Sequence, residues 1–270
     1  RTLVVSMLGN QLLQSPMDAV LQLVDESGHV LRQADDQRGL DPQLVYQPGQ
    51  DADLYVRLFA FPETPNSTIG FAGAATFVYE LRVTTDAFVD HVLPLTGQTQ
   101  EYVGKSVGGW NLPADVQIKQ AQSDHGYGRS VFLPSSLGWQ WQCGNADNGH
   151  HHLESTDAVE IEQLPCLFSG RIENAGDVDR MRIAVTKGEK YRAKVHARRS
   201  GMLLDSVLKV IDLTDGTELA TNDDETRGKY DAQVDFTAKK TEMIEIQISD
   251  LVGGFGMRHA YTVEVHSIQP

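Results

Sequence analysis

Alternating apolar and polar residues recur along this chain and predict short β-strands. In one such stretch Leu54, Val56 and Leu58 alternate with Tyr55 and Arg57. A period of two, bounded by Gly, Pro and Asp, is typical of a half-buried strand. No segment has the period of a convincing long helix. The pattern therefore predicts an all-β protein.

The same order of strands and turns occurs twice, which predicts two copies of one structural unit. Residues 15–46 and 201–236 share a strand, a glycine turn and a loop that opens on two aspartates. The predicted equivalences are Asp18 with Asp205, Gly28 with Gly216, Asp35-Asp36 with Asp223-Asp224, Asp41 with Asp231, Leu54/Val56/Leu58 with Ile244/Ile246/Ile248, and Tyr79/Leu81/Val83 with Tyr261/Val263/Val265.

The second copy is longer at its front. Residues 170–179 lead into a strand with Met181, Ile183 and Val185 on one face, and a turn at Gly188 leads into the strand that corresponds to residues 3–8. The first copy therefore lacks an opening strand and turn. We expect either that Arg1 is a cut within a longer parent or that another segment covers the gap, because proteins normally cover such an edge.

Residues 85–156 lie between the two copies and contain several short strand candidates separated by turn residues. Their spacing predicts a small immunoglobulin-like β-sandwich. Residues 145–157 are polar and His-rich, which predicts a linker. The predicted domains are residues 1–84, an N-terminally truncated sandwich, residues 85–156, the middle module with the linker, and residues 157–270, a complete sandwich.

Composition and charge narrow the classes of function. Hydrophobic residues make up 40% and charged residues 22% of the 270 residues, so a core can form. The formal net charge of -14 argues against binding to a nucleic-acid backbone. No apolar run has the roughly 20 residues that span a bilayer. Two cysteines do not make a disulfide-rich scaffold or a four-cysteine zinc site.

The aspartate clusters of the second copy are a candidate calcium site. Asp205, Asn222, Asp223, Asp224 and Asp231 occupy loops at one end of the predicted sandwich, and calcium takes six to eight hard oxygen ligands. The alternative is that Asp205 and Asp231 bind local backbone amides in turns, while Asp223-Asp224 is solvated.

The first copy weakens the metal interpretation. Ala34 replaces Asn222 and Gln37 replaces Glu225, whereas the other aspartates recur. Recurring aspartates are expected of the fold itself, so a calcium ion, if bound, should prefer the second copy. Asp177 and Asp179 are further candidate ligands or, alternatively, turn-forming residues.

Histidines and cysteines give two more candidates. His150, His151 and His152, with His125 and His91, are candidate transition-metal ligands, but zinc sites prefer spaced ligands, so a linker is the alternative. Cys143 and Cys166 either pair in a disulfide, as an exported protein allows, or remain buried thiols.

Three tryptophans concentrate in the middle module. If Trp139 and Trp141 lie in a strand they share a face, where they either stack on sugar rings or pack in a core with Trp110 and Tyr127.

No recognised catalytic motif is present, including G-x-S-x-G, H-E-x-x-H, a phosphate-binding loop and C-x-x-C. The sequence therefore predicts that the chain is not an enzyme. The alternative is a hydrolase whose pair of catalytic acids cannot be recognised from the sequence.

The second copy resembles the bacterial pre-peptidase C-terminal (PPC) domain family. The resemblance rests on Gly170-Arg171-Ile172, Gly176-Asp177-Val178-Asp179, Gly188-Glu189, Leu204-Asp205, Asn222-Asp223-Asp224, Asp231 and Tyr261-Thr262-Val263-Glu264-Val265. It covers about 100 residues there and most of residues 1–84, and the middle segment around Gly109–Pro113 looks like the immunoglobulin-like modules of large exported planctomycete-type proteins.

The resemblance implies two jelly-roll-like β-sandwiches with a smaller Ig-like sandwich between them. Such domains are appended to secreted peptidases and other exported proteins and are usually not catalytic. The related collagen-binding domains bind calcium and matrix. Here the segment Glu154–Asp157 lacks the Glu-Pro-Asn type motif that supplies part of that metal site.

The sequence thus predicts a non-catalytic accessory or adhesion array of an exported bacterial protein, located in the periplasm, at the cell surface or outside the cell. Its predicted partners are other domains of the parent chain and an extracellular matrix protein or polysaccharide. The alternatives are a removable, propeptide-like or chaperoning appendage of a secreted peptidase, and a hydrolase with an unrecognised acid pair.

Overall fold

The computed structural model describes residues 1–64, 70–96, 101–103, 107–121, 130–132 and 150–268. Contacts divide the chain into two compact units. The first unit consists mainly of residues 1–88, and the second contains residues 89–96 and 150–268. No helix in these ranges has both the length and the apolar character needed to cross a membrane.

Short strands make up nearly all of the regular structure. In the first unit they are β1 (Leu3–Leu8), β2 (Met17–Val24), β3 (Val30–Ala34), β4 (Gln43–Tyr46), β5 (Tyr55–Pro62) and β6 (Glu80–Thr84), with one helical turn, α1 (Asn10–Leu13). The middle stretch contains β7 (Phe88–Val92), β8 (Glu101–Val103), β9 (Val107–Trp110), β10 (Gln117–Ala121) and β11 (Ser130–Phe132).

The second unit has the larger set of strands. They are β12 (His150–Leu153), β13 (Val159–Ile161), β14 (Cys166–Arg171), β15 (Asp179–Val185), β16 (Lys190–His196), β17 (Ser206–Asp212), β18 (Glu218–Asn222), β19 (Gln233–Thr237), β20 (Glu242–Asp250) and β21 (Ala260–Ile268). A 3-10 helix at Arg198–Ser200 follows β16.

The first unit is built from two three-stranded antiparallel sheets, in the orders β4-β1-β6 and β3-β2-β5. One face of each sheet supplies a common core. Val5 and Met7 of β1 meet Leu21 and Leu23 of β2 there, all nearly inaccessible to water. The alternation of apolar and polar residues in the sequence thus indicates which face of β1 and of β2 is buried.

The second unit has two five-stranded sheets, in the orders β12-β14-β21-β16-β19 and β13-β15-β20-β17-β18. The outer pairs β12–β14 and β13–β15 are parallel, and the other pairs are antiparallel. Its core is much larger than that of the first unit and includes Phe168, Ile246 and Val263. The predicted all-β fold class, with sheets in a sandwich-like arrangement, is confirmed.

The two units pair their strands with the same registers. Leu21 of β2 lies opposite Ala34 and Leu58, and Leu208 of β17 lies opposite Asn222 and Ile248. A β-bulge follows at the same place, between residues 23 and 24 and between residues 210 and 211. These registers give the same equivalences that the sequence comparison predicts.

The His-rich segment is a correction to the sequence prediction. Residues 145–157 were expected to form a linker, but His150–Leu153 form β12, which runs parallel to β14 with His150 opposite Cys166. An edge strand gains hydrogen bonds from one neighbour only and tolerates polar side chains, so its composition resembles that of a loop. The described part of this segment, residues 150–157, therefore belongs to the second unit, and residues 145–149 lie outside the described ranges.

The middle module is described only in part. Its described strands form a three-stranded sheet in the order β11-β10-β8 and a pair of β7 with β9. Most of residues 122–149 lie outside the described ranges, as do Cys143, Tyr127, His125, Trp139 and Trp141. The Ig-like assignment, the three domain boundaries and the Cys143–Cys166 pair stay predictions.

Candidate functional site

Asp231, one of the predicted calcium ligands, binds backbone amides. Its buried carboxylate accepts hydrogen bonds from the backbone N–H groups of Ala197, Arg198 and Arg199 at 3.2, 2.7 and 3.2 Å. The Nε of Arg199 adds a bond of 2.6 Å. These four hydrogen bonds fix the turn that leads into the 3-10 helix.

Asp41 binds the equivalent backbone amides in the first unit. It accepts from the N–H groups of Gly9, Asn10 and Gln11 at 3.1, 2.7 and 3.1 Å. Burial raises the pKa of Asp41, and the three amides oppose that rise. Both units use this aspartate to bind three successive backbone amides, so it belongs to the fold. The amides are 30 or more residues away along the chain, whereas the turn interpretation predicts local ones.

Asp205 senses the charges of several neighbours. Burial raises the pKa of Asp205, the charge of Arg198 lowers it, and the charges of Asp250, Asp224 and Asp223 raise it. In the first unit burial and Asp35 likewise raise the pKa of Asp18. In both units the charge of an aspartate in the following loop therefore acts on the aspartate at the start of the strand.

Asn222 is already engaged by its own loop. Its Nδ2 donates to the carbonyl oxygens of Asp224 and Gln233 at 2.6 and 2.8 Å, and its Oδ1 accepts from the N–H of Asp223 at 3.0 Å. Among the described residues, no group of three or more His, Cys, Asp or Glu side chains is arranged to hold a metal ion. Calcium at this cluster stays a prediction.

Asp177 and Asp179 have separate roles. Asp177 accepts from the N–H of Glu173 at 3.2 Å, which closes the turn before β15. Asp179 is buried and accepts from the hydroxyl of Tyr261 at 2.6 Å. Asp177 therefore follows the turn interpretation, whereas Asp179 is part of a buried polar cluster.

That cluster contains a pair of acids that sequence reasoning missed. Glu154 lies in hydrogen-bond contact with Asp179, and its Oε2 accepts from the N–H of Arg171 at 2.7 Å. Burial, followed by the charge of Asp179, raises the pKa of Glu154 to about 8. A proton shared between the two carboxyls relieves their repulsion.

Gly170 makes room for this pair. A Cβ at this position would lie 2.2 Å from Oε2 of Glu154 and 2.5 Å from the hydroxyl of Tyr261. Any side chain would therefore displace the pair. A glycine inside a strand pattern, as here in β14, is the only sequence signal that could have indicated a close approach.

The pair lies beside an acidic cleft of about 320 Å³. Glu173 and Asp177 also line it, with Arg171 and Arg180 as the cations. Two carboxyls in direct contact leave no room between them for a sugar ring or a water, which a glycosidase pair about 5 Å or more apart requires. The arrangement instead attaches the segment after β12 to the sandwich.

The described histidines occupy different environments. His91 is fully buried with Nδ1 2.9 Å from Oδ2 of Asp90, while His150 is exposed on β12. Burial lowers the pKa of His151 to about 4 and also lowers that of His152. These two rings are therefore neutral at physiological pH and partly buried at the sheet edge.

Cys166 and Trp110 pack internally. The Cys166 side chain is fully buried in the second core, and burial raises its pKa to about 12. Trp110 lies 6.1 Å from Phe88, centroid to centroid. Cys166 thus packs in the core whether or not it pairs with Cys143, and Trp110 is half-buried against Phe88.

An aromatic cluster on the outer face of β5 was not singled out from the sequence. Phe59 and Phe61 lie two apart on that face, and Phe71 folds over them with centroid distances of 5.2 and 5.5 Å. Phe71 is 76% exposed. We call Phe59, Phe61 and Phe71 the aromatic surface.

No family model matches the chain, and no curated protein matches it. A similar solved structure is the pre-peptidase C-terminal domain of collagenase from Bacillus anthracis, at 13% identity over 42% of this chain and 95% of that chain, with a TM-score of 0.32. Another is PliG from Aeromonas hydrophila, a periplasmic inhibitor of g-type lysozyme, at 10% identity over 44% and 100%, with a TM-score of 0.31.

The CUB1-EGF-CUB2 domain of human MASP-1/3 has 10% identity over 99% of this chain and 88% of that chain, with a TM-score of 0.27. At these TM-scores the fold assignment rests on this chain's own strands and registers.

Proposed function

We propose that this chain is part of a non-catalytic accessory or adhesion array of an exported bacterial protein. It spaces a partner domain or attaches it to matrix, polysaccharide or the cell envelope. The aromatic surface on β5 supports the proposal. Exposed apolar clusters on rigid strands are typical of interaction sites, and Phe71 presents most of its ring to solvent.

Sugar rings and the flat faces of fibrous proteins both offer C–H surfaces that stack on aromatic side chains. The three rings contact one another, so their positions are set before a ligand arrives. Such preorganisation lowers the entropic cost of binding. The ligand class that fits is an extended polymer with an apolar face.

Cosedimentation with insoluble polysaccharides and with fibrillar matrix protein tests this function. We expect the chain to sediment with one of them, and Phe71→Ala to weaken that binding about tenfold or more, since aromatic anchors dominate such contacts. The matched control is Val252→Ala, an equally exposed apolar residue in a turn of the second unit. Absence of binding to every polymer, or equal losses in both variants, would contradict the proposal.

Calcium binding to the second unit is a separate proposal. The groups with oxygens to spare are Asp205, Asp223 and Asp224, because Asp231 and Asn222 are engaged elsewhere. Calcium bound to the folded state alone raises the melting temperature. Unchanged melting between millimolar calcium and chelator would rule the site out, and Asp223→Asn should abolish any rise.

A further inference from the structure

The second unit contains a cleft of about 500 Å³ beside its 3-10 helix. Its volume lies in the range of small-molecule sites. The lining residues are Lys194, Arg198, Arg199, Glu225, Gly228, Lys229, Tyr230 and Asp231.

The cleft is locally basic although the chain is strongly acidic. Glu225 is shared among Lys194, Arg199 and Lys229, at 3.1, 3.0 and 3.5 Å. Asp231 is neutralised by Arg199 and by the amides described above. Four cations therefore face two carboxylates that are already engaged, which leaves an excess of positive charge.

Arg198 and Tyr230 are the groups with capacity to spare. Within the described part of the chain, no ion pair or side-chain hydrogen bond engages the guanidinium of Arg198, although its positive charge lowers the pKa of Asp205. Tyr230 is 56% exposed. An exposed aromatic ring and a guanidinium that line the same cleft offer stacking together with bidentate binding of a carboxylate.

The first unit is an internal control. The shared registers and the shared amide cap place Ser6, Asn10 and Gln11 where the second unit has Lys194, Arg198 and Arg199. All three counterparts are neutral. The first unit instead has one buried cation, Arg38, whose charge acts on Asp41. Cations at the positions of Lys194, Arg198 and Arg199 are therefore not needed to form this turn.

We infer that this cleft binds an acidic sugar, a pyranose ring carrying a carboxylate, with the ring on Tyr230 and the carboxylate on Arg198. Lys229, which is 62% exposed, completes the positive rim. The site is distinct from the aromatic surface and does not depend on it.

A sugar is favoured over a nucleic acid by the extent of the positive charge. Binding to a phosphate backbone needs a basic stripe that follows several phosphates. Here the cations are confined to one cleft, in a chain with a net charge of -14. A single acidic residue of a polymer matches that size and charge.

Titration calorimetry with trigalacturonate, against neutral galactotriose and a short DNA duplex, tests the inference. We expect binding of trigalacturonate alone. Arg198→Glu should weaken it about tenfold or more, the cost of losing a charge-assisted contact. Tyr230→Ala should weaken binding of the sugar without changing its salt dependence.

The matched control is Lys209→Glu, which reverses an exposed charge on β17 away from the cleft. Circular dichroism melting should show that all variants remain folded, since Arg198 and Tyr230 are exposed. Equal binding of galactotriose or of DNA, equal losses in the Lys209 variant, or no binding of trigalacturonate would each overturn the inference. Loss of matrix attachment in Phe71→Ala with retained trigalacturonate binding would separate this site from the proposed function.

Discussion

Strands β6 and β21 are equivalent in register, but they differ sharply in burial. Leu81 and Val83 of β6 are 37% and 49% exposed, whereas Val263 and Val265 of β21 are 0% exposed. In the second unit β14 pairs with the far side of β21, and β15 pairs with the far side of β20. No described residue of the first unit forms strands equivalent to β14 and β15. Alternation therefore determines which face points inward, while neighbouring strands determine how much of it is buried.

The largest expected effect is a charge placed at these equivalent positions. Val265→Asp would bury an unpaired carboxylate and should cost more than about 4 kcal/mol of the unfolding free energy. Val83→Asp keeps access to water and should cost about 1 kcal/mol or less. Hydrogen exchange followed by mass spectrometry measures each unit separately, and similar losses of protection in both units would contradict the comparison.

The next effect concerns the aspartates that both units share. Asp231→Ala leaves three amides and Arg199 without their acceptor and should cost about 2–4 kcal/mol. Asp41→Ala should cost nearly as much, because its three amides are bound in the same way.

The control is Asp235→Ala, whose carboxylate pairs with a partly exposed Arg192 at 2.7 Å. Such surface pairs contribute about 1 kcal/mol or less. If Asp41→Ala behaves like this control, the cap is not a common element of the two units.

A smaller effect separates two equivalent tyrosines. Tyr261 is fully buried and donates to Asp179, so Tyr261→Phe should cost about 1–3 kcal/mol. Tyr79 is half exposed, and Tyr79→Phe should stay within about 0.5 kcal/mol. Equal melting of the second unit in wild type and Tyr261→Phe would show that this buried bond contributes nothing.

The sequence predicted the strands and turns well because their signals are local. A period of two, a turn glycine such as Gly28 with φ of 82°, and a loop aspartate such as Asp41 each leave a mark in a few adjacent residues. The registers that these elements adopt follow from which face must be buried.

Long-range contacts leave no comparable signal in a few adjacent residues of the sequence. Glu154 meets Asp179 because β12 runs parallel to β14 and β15 begins beside it. Asp179 belongs to a short motif, but nothing in the sequence links it with Glu154. Phe59 and Phe61 show their common face by alternation, but Phe71 reaches them from a loop. The polar composition of β12 concealed a strand because it lies at a sheet edge.

The last expected effect is a pH dependence of the second unit between pH 6.5 and 8.5. The folded pKa of Glu154 is about 8, above its ordinary value of 4.5, so the folded state binds more protons between these values. Stability from this group is complete at low pH and is lost as pH rises through about 8. His151 has a folded pKa of about 4, below its ordinary value of 6.5. Its contribution to stability therefore changes with pH in the opposite direction, and only below pH 6.5.

Melting measured from pH 6.5 to 8.5 therefore isolates the carboxyl pair. Wild type should melt at lower temperature as pH rises, while Glu154→Gln, which mimics the protonated acid, should show a flatter profile and melt higher than wild type at pH 8.5. Glu160→Gln, an exposed glutamate on β13, should follow wild type. The first unit has no described counterpart of this pair, so a matching slope in its own exchange protection would attribute the pH dependence to other groups.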